Sequence, residues 1–513
     1  MTIVPSFSPP HVAVFTAKAW GHVRPMCSFI AKLVESKGVY ITMFTSTEFV
    51  DRVHKELSRY PVSGMKDFMN LVRVIGLGNS DPTDHYARSL YEPFYVAYDK
   101  LMQEAPIVCA RYGTAHKVIP KPHSILLDFL HFVPIKHVRS KTGKDIKIYL
   151  WYPCSTAFLT LYSPDVRGDP RPRLNAEAER TGREFNDVAM EYFFTRRGEV
   201  ISIPGLPPLY DHEMAPQEVP VQFRSSGAWL GILEAIDICD GAVLLTAEEL
   251  EYDATTTIKK WVGKGADSVY AVGPLLPPTE ARSQVSLEEA EMSHNVEFFM
   301  DTILKSHGAE SMLYISFGSL FWPINAETLW TTLDVVMEKK IPFIICLGAH
   351  FAEIPENIQE KIDNYKLGMV CRWAPQQSIL EHKVIGWFLS HCGQNAVLET
   401  ISAGVPMICW PFYADQPFNA LNYTENFDVA YELFEVRAGI HGLKDIHRLG
   451  RPPSGTIEAV RKEVDGVLDD AFKDGGKRKR ENMKKLQEKL SQSWKEDGSS
   501  KRDFGELVHA LSS

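Results

Sequence analysis

A chain of 513 residues exceeds what one hydrophobic core ordinarily organises, so two domains of roughly 200–270 residues are expected. Hydrophobic residues make up 45% and charged residues 23%, and a net charge of −10 disfavours a nucleic-acid backbone as partner. The eight scattered cysteines form no CxxC or zinc spacing, no apolar run of about 18 residues spans a membrane, and Met1–Pro10 has no signal-peptide pattern, so a cytoplasmic protein with reduced thiols is expected.

The first forty-five residues read as a βαβ unit. His11–Ala17 is an apolar strand, and a loop through Lys18–Arg24 leads to Pro25, a residue favoured at the first helical position. The helix is expected to stop at Gly38, before a strand over Tyr40–Thr45. Short apolar runs follow at Ser124–Leu127 and Ile148–Tyr152, and the polar stretch Arg167–Arg183 reads as a surface insertion. Residues 1–278 form the expected N-terminal domain, and the acidic segment 279–293 an interdomain linker. The α/β rhythm restarts over 294–480, with strands at Met312–Phe317, Phe343–Leu347, Met369–Arg372, Gly386–Ser390 and Val405–Trp410. Residues 481–513 are expected to be helices packing back toward the N-terminal domain. The basic run Lys477–Arg480 reads as a solvated helix face. The fold class is α/β: two facing doubly wound parallel-sheet domains, Rossmann-like, with a ligand cleft between them at the strand carboxyl ends.

Within Trp387–Glu399 a buried strand runs into a tight turn and a helix starts after Gly393. Free N–H groups and the dipole at that end suit a pyrophosphate, and His391 sits in the turn. Glu399 lies about 7.5 Å along the helix, about the reach from a pyrophosphate to ribose hydroxyls. On this fragment alone, an ordinary turn with a core histidine and a solvent-facing glutamate fits equally well.

The wider pattern decides. From Trp373-Ala374-Pro375-Gln376 through His391-Cys392-Gly393 and Glu399 to Asp415-Gln416, the chain resembles the 44-residue signature box of plant-type family-one UDP-glycosyltransferases. Phe317-Gly318-Ser319 and Gly498-Ser499-Ser500 resemble its flanking signatures. The resemblance implies a fold of the GT-B type and an inverting, metal-independent transfer of a hexose, glucose above others, from UDP. The acceptor it implies is a hydroxyl of a small hydrophobic compound, phenolic or flavonoid-like. Trp373 would stack on uracil and Ala374 read it through the backbone, while Gln376 and Glu399 hold the ribose. Ser319, His391, Gly393, Asn395 and Ala396 would surround the diphosphate, and Asp415 and Gln416 the sugar. Gln394 and Ala396 depart from the tryptophan and serine usual in the family.

Transfer needs a base. His22 follows Gly21 before the expected helix, whose positive dipole end favours a neutral, proton-accepting imidazole. By itself such a histidine reads as structural or exposed, but its place matches the base of the family. Asp128 ends the run Ser124–Leu127 and reads as a helix cap or, by the resemblance, as the carboxylate that orients His22. Trp20, Phe94, Phe129, Phe132 and Trp151 are candidates for the acceptor pocket, although each also reads as core. A monomer without a permanently bound cofactor or metal, and without a membrane span or nucleic-acid partner, is expected. Three rivals are weighed. A nicotinamide-dependent dehydrogenase lacks its GxGxxG turn here. A sterol or lipid glycosyltransferase would favour an added membrane module, and a non-catalytic UDP-sugar-binding protein would not need both His22 and Asp128.

Overall fold

The computed structural model describes residues 9–60, 68, 70–79, 88–218, 226–262, 268–277 and 287–512. Two parallel sheets organise them. The first contains β1 (His11–Phe15), β2 (Tyr40–Thr45), β3 (Val72–Gly76), β4 (Ser124–Asp128), β5 (Lys147–Tyr152), β6 (Gly241–Leu244) and β7 (Val269–Ala271). Its strand order is β7-β6-β5-β4-β1-β2-β3, with every pairing parallel. All five residues of β1 are buried, as a parallel strand covered on both faces requires. Alternate side chains feed opposite layers: Ala13, Phe15, Ile125 and Leu127 enter one core, and Val12, Val14 and Leu126 the other.

The second sheet holds β8 (Met312–Ser316), β9 (Phe343–Cys346), β10 (Gly368–Cys371), β11 (Ile385–Ser390), β12 (Met407–Cys409) and β13 (Ala430–Glu432). Its order is β10-β9-β8-β11-β12-β13, again all parallel. In each sheet the chain runs out to one edge and returns on the other side of the first strand. The strand order therefore reverses between β1 and β4, and again between β8 and β11. Crevices open at the carboxyl ends of strands at such points.

Several expectations need correcting. The surface insertion at Arg167–Arg183 contains a helix, Arg171–Thr181, begun by Pro170-Arg171-Pro172 and ended at Gly182 in the left-handed region. Of the expected linker, 279–286 lie outside the described residues, while 287–293 already belong to the helix Leu287–His307. The basic run is not simply solvated. Lys479, 6% exposed, and Arg478 both bind Asp428, at 2.6 and 2.9 Å, and Arg480 binds Glu310 at 2.8 Å. The helix carrying it, Asp474–Gln492, packs on the helix Gln394–Ala403 of the second domain. The chain then crosses back: the helix Ser499–Ser512 lies against the first sheet, with Ser500 Oγ donating to Gly273 O (2.6 Å) and Ala271 N to Asp503 Oδ2 (2.9 Å). All eight cysteines are free, and seven of them are buried. No helix among the described residues is long and apolar enough to cross a membrane.

Candidate active site

The two points of strand-order reversal face one another across a cleft. Beyond β1 the helix opens at Trp20, not at Pro25 as the sequence suggests, with Ala19 as its extended N-cap residue. His22 therefore lies in the first turn, its N–H bonded to Ala19 O at 2.9 Å. The proline is accommodated because the carbonyl it cannot pair with, Gly21 O, accepts from Asn395 Nδ2 of the other domain at 2.6 Å.

Asp128, at the carboxyl end of β4, is fully buried and meets His22 Nδ1 through Oδ2 at 2.8 Å. Its Oδ1 accepts from Leu130 N at 3.1 Å. Burial pushes this carboxyl up, but the His22 charge and hydrogen bond, the His131 ring and the Leu130 N–H outweigh it and hold Asp128 below the usual carboxylate range. An ionised Asp128 can only accept, so Nδ1 of His22 carries the hydrogen and Nε2 is left as the basic nitrogen. The His22 ring lies over Phe129, centroids 5.7 Å apart, and Trp151 Nε1 donates to His22 O at 3.2 Å.

In the second domain, Gly318-Ser319 follow β8 and His391-Cys392-Gly393 follow β11. The His391 ring is seated between two glycines. A Cβ on Gly318 (φ +74°) would lie 2.8 Å from Nε2 of that ring, and one on Gly393 2.7 Å from it, so neither position tolerates a side chain without moving the imidazole. Burial pushes His391 down to about 4, against a hydrogen bond to the Ser316 backbone. It is a neutral hydrogen-bonding group near pH 7. Gly393 is the N-cap of the helix Gln394–Ala403 and supplies no capping side chain; the Gln394 N–H is taken by Asp415, and those of Asn395 and Ala396 are left for a ligand. Cys392 and Ala414, in the two turns beside it, hold the left-handed conformation without being glycine (φ 63° and 59°), strain of the kind found at ligand sites.

Glu399, in the second turn of the helix, accepts from Gln376 Nε2 at Oε2 and from Arg24 Nη2 at Oε1. Asp415 Oδ2 accepts one N–H from each domain, Ser155 N at 3.2 Å and Gln394 N at 3.3 Å. Burial pushes its carboxyl up to about 6 against those two N–H groups. Gln416 Oε1 accepts from Phe412 N at 2.8 Å, which fixes its amide with the NH₂ as donor end.

These groups surround one cavity of about 360 Å³. Of the residues singled out from sequence, His22, Ser319, Gln376, His391, Gly393, Asn395, Ala396, Glu399, Asp415, Gln416, Trp20 and Phe129 line it. Asp128 stands behind His22. Trp373 and Ala374 follow β10, half-buried, outside the lining. Phe94, Phe132 and Trp151 are corrections: all three are core. Phe94 stacks on Phe15 (4.4 Å), Phe132 packs where a Gly231 Cβ would be, and fully buried Trp151 supports the His22 turn from beneath. The apolar wall comes instead from Phe158, Trp229 and Ile232. Trp229 and Ile232 sit three apart on the helix Ser226–Ile238, a spacing that offered a signal in the sequence. Gln394, where the family carries tryptophan, donates from Nε2 to Leu245 O across the cleft at 2.8 Å.

Two doubly wound domains closing on such a cavity define a nucleotide-sugar-dependent transferase of the GT-B fold. Residues 244–435 match the family "UDP-glucoronosyl and UDP-glucosyl transferase". The chain is 31% identical over 510 residues to the UDP-glycosyltransferase eriJ of Hericium erinaceus, covering 95% of this chain and 96% of that one. It belongs to the UDP-glycosyltransferase family, whose members are in general inverting and metal-independent. Among solved structures it resembles Medicago truncatula UGT71G1 complexed with UDP-glucose (TM-score 0.69, 19% identity, 98% and 99% of the two chains). It also resembles Phytolacca americana UGT2 complexed with UDP-2-fluoro-glucose and pterostilbene (TM-score 0.66, 22% identity, 98% and 100%).

Proposed function

We propose that this chain transfers glucose from UDP-glucose, with inversion, to a hydroxyl of a small, largely apolar acceptor such as a phenol. The observation that carries the reading is the His22–Asp128 pair opening into the same cavity as the helix N-terminus at Gly393. His22 Nε2 takes the proton of the acceptor hydroxyl, and the resulting nucleophile attacks the anomeric carbon as the bond to UDP breaks. Charge developing on the leaving diphosphate is met by Ser319, neutral His391 and the backbone N–H groups of Asn395 and Ala396. Gln376 and Glu399 hold the ribose, and Trp373 stacks on the uracil with Ala374 reading its edge. Asp415, as acceptor, and Gln416, as donor, read the sugar hydroxyls. Trp20, Phe129, Phe158, Trp229 and Ile232 form an apolar wall for the acceptor. The free, mostly buried thiols support a reducing, cytoplasmic compartment.

The reading is tested by incubating the purified chain with UDP-glucose, UDP-galactose and UDP-glucuronic acid against a panel of phenols and aliphatic alcohols, following UDP release and product mass. UDP-glucose with a phenol should give the fastest release and a β-glucoside by NMR. Faster turnover of another donor would overturn the sugar assignment.

A further inference from the structure

Helix Trp20–Lys37 meets the helix Gln394–Ala403 at two points that bracket His22. On one side Gly21 O accepts from Asn395 Nδ2, and on the other Arg24 Nη2 donates to Glu399 Oε1. The carboxylate of Glu399 is 1% exposed and the Arg24 side chain 20%. Among the described residues, Arg24 is the cation paired with Glu399. Behind it lies Glu56, itself held by Arg59 at 2.9 Å, so Arg24 stands between two carboxylates and is kept firmly protonated.

We propose that Arg24 is a positioning residue for the transfer, coupling the carboxylate that holds the ribose to the turn that carries the base. The inference rests on the reading of Glu399 as the ribose carboxylate. A carboxylate this buried needs a countercharge, and leaving it unpaired is strongly unfavourable. Arg24 supplies that charge, while Gln376 holds the other oxygen, so the carboxyl plane is fixed with further lone pairs free for ribose hydroxyls. Because Arg24 is two residues from His22 on the same turn, the bond that fixes Glu399 also fixes the base relative to the donor helix. A lysine reaching the same oxygen would keep the charge without the planar fork and recover part of the effect.

The test uses Arg24→Met, Arg24→Lys, Glu399→Gln and the Arg24→Met/Glu399→Gln double variant of the full chain. UDP affinity is measured by calorimetry, and kcat at saturating UDP-glucose. Glu399→Gln should weaken UDP by about tenfold. Arg24→Met should weaken UDP by a similar factor and also lower kcat at saturating donor at least fivefold, a loss that a pure affinity defect would hide. Arg24→Lys should recover only part of both, leaving kcat two- to fivefold below wild type, and the double variant should bind UDP no worse than Glu399→Gln alone, since the two residues act as one unit. If Glu399→Gln weakens UDP while Arg24→Met leaves affinity and kcat within twofold, or if the two losses multiply, the role of Arg24 is overturned and the ribose reading stands. Unchanged UDP affinity in Glu399→Gln overturns both. Should Arg24→Met fail to fold, Arg24→Lys carries the test: an intermediate, two- to fivefold loss of kcat supports the role, and wild-type kcat overturns it.

Discussion

Asn395 Nδ2 donates to Gly21 O across the cleft at 2.6 Å, filling the hydrogen-bond vacancy that Pro25 leaves in the helix bearing His22. A helix-interior proline is thereby turned into a contact between domains, one residue from the base. Asn395→Ala should cost about 1 kcal/mol in denaturant unfolding. Pro25→Ala, which restores an N–H to that carbonyl, should be stabilising in the Asn395→Ala background and less so in the wild type. Equal effects in both backgrounds would show that the two positions are uncoupled.

The seating of His391 predicts an unusually steep cost for a single methyl group. Gly393→Ala places a Cβ 2.7 Å from the ring's Nε2 and must displace it from the helix end. UDP affinity should fall about tenfold or more by calorimetry, with circular dichroism unchanged. Wild-type affinity would mean that the ring has room to move.

Asp415, with its carboxyl pushed up to about 6, predicts that activity and stability respond to acid in opposite senses. Its folded value lies above the unfolded one of 3.8, so folding favours the protonated form. The stability it contributes is present below about pH 4 and lost as pH rises through 6. A carboxylate that accepts sugar hydroxyls, by contrast, is lost as pH falls through 6. In wild type, kcat/KM for the donor should therefore drop below about pH 6, and Asp415→Asn should flatten that limb. The difference in unfolding free energy between the two proteins should also change over pH 4–6.

His11 carries the opposite sign. Buried at the start of β1 and bonded to Pro120 O (2.7 Å) and Thr42 Oγ1 (2.8 Å), it is driven down to about 3 by burial, with the Pro120 carbonyl opposing. The unfolded chain takes up this proton first, near pH 6.5. The stability contributed by the neutral ring is intact above that value and is lost progressively toward pH 3. Between pH 7 and 5 the wild type should lose about 2 kcal/mol at this position. His11→Gln, less stable at pH 7, should show a shallower loss over the same range.

The strands and helices that carry the site are legible as local signals, in the strand-turn-helix of Trp387–Glu399 and the apolar run ending at Asp128. The roles of the residues are not: taken alone, that turn fits an ordinary one, His22 a structural histidine and Asp128 a helix cap, and only the resemblance to the family separates the readings. The start of the first helix was misread for a physical reason. Pro25 is a standard opening residue, and only a partner hundreds of residues away, Asn395, lets the helix begin at Trp20 with the proline inside it. The acceptor wall was half-read for a related reason. Trp151 and Phe94 have the size of lining residues but sit on the inner faces of layers, whereas Trp229 belongs to a helix whose exposed face could be judged only once the domains were brought together. Arg24 gave no signal at all, since a charged residue in a helix turn reads as solvent-facing until Glu399 is seen opposite it.

Whether His22, oriented by Asp128, is the base of the transfer is tested most directly by measuring turnover and UDP binding in the same His22→Ala protein. In that variant kcat should fall at least about a thousandfold while the calorimetric Kd for UDP stays within about threefold of wild type. Retention of more than about a tenth of wild-type turnover, with UDP still bound, would contradict that role.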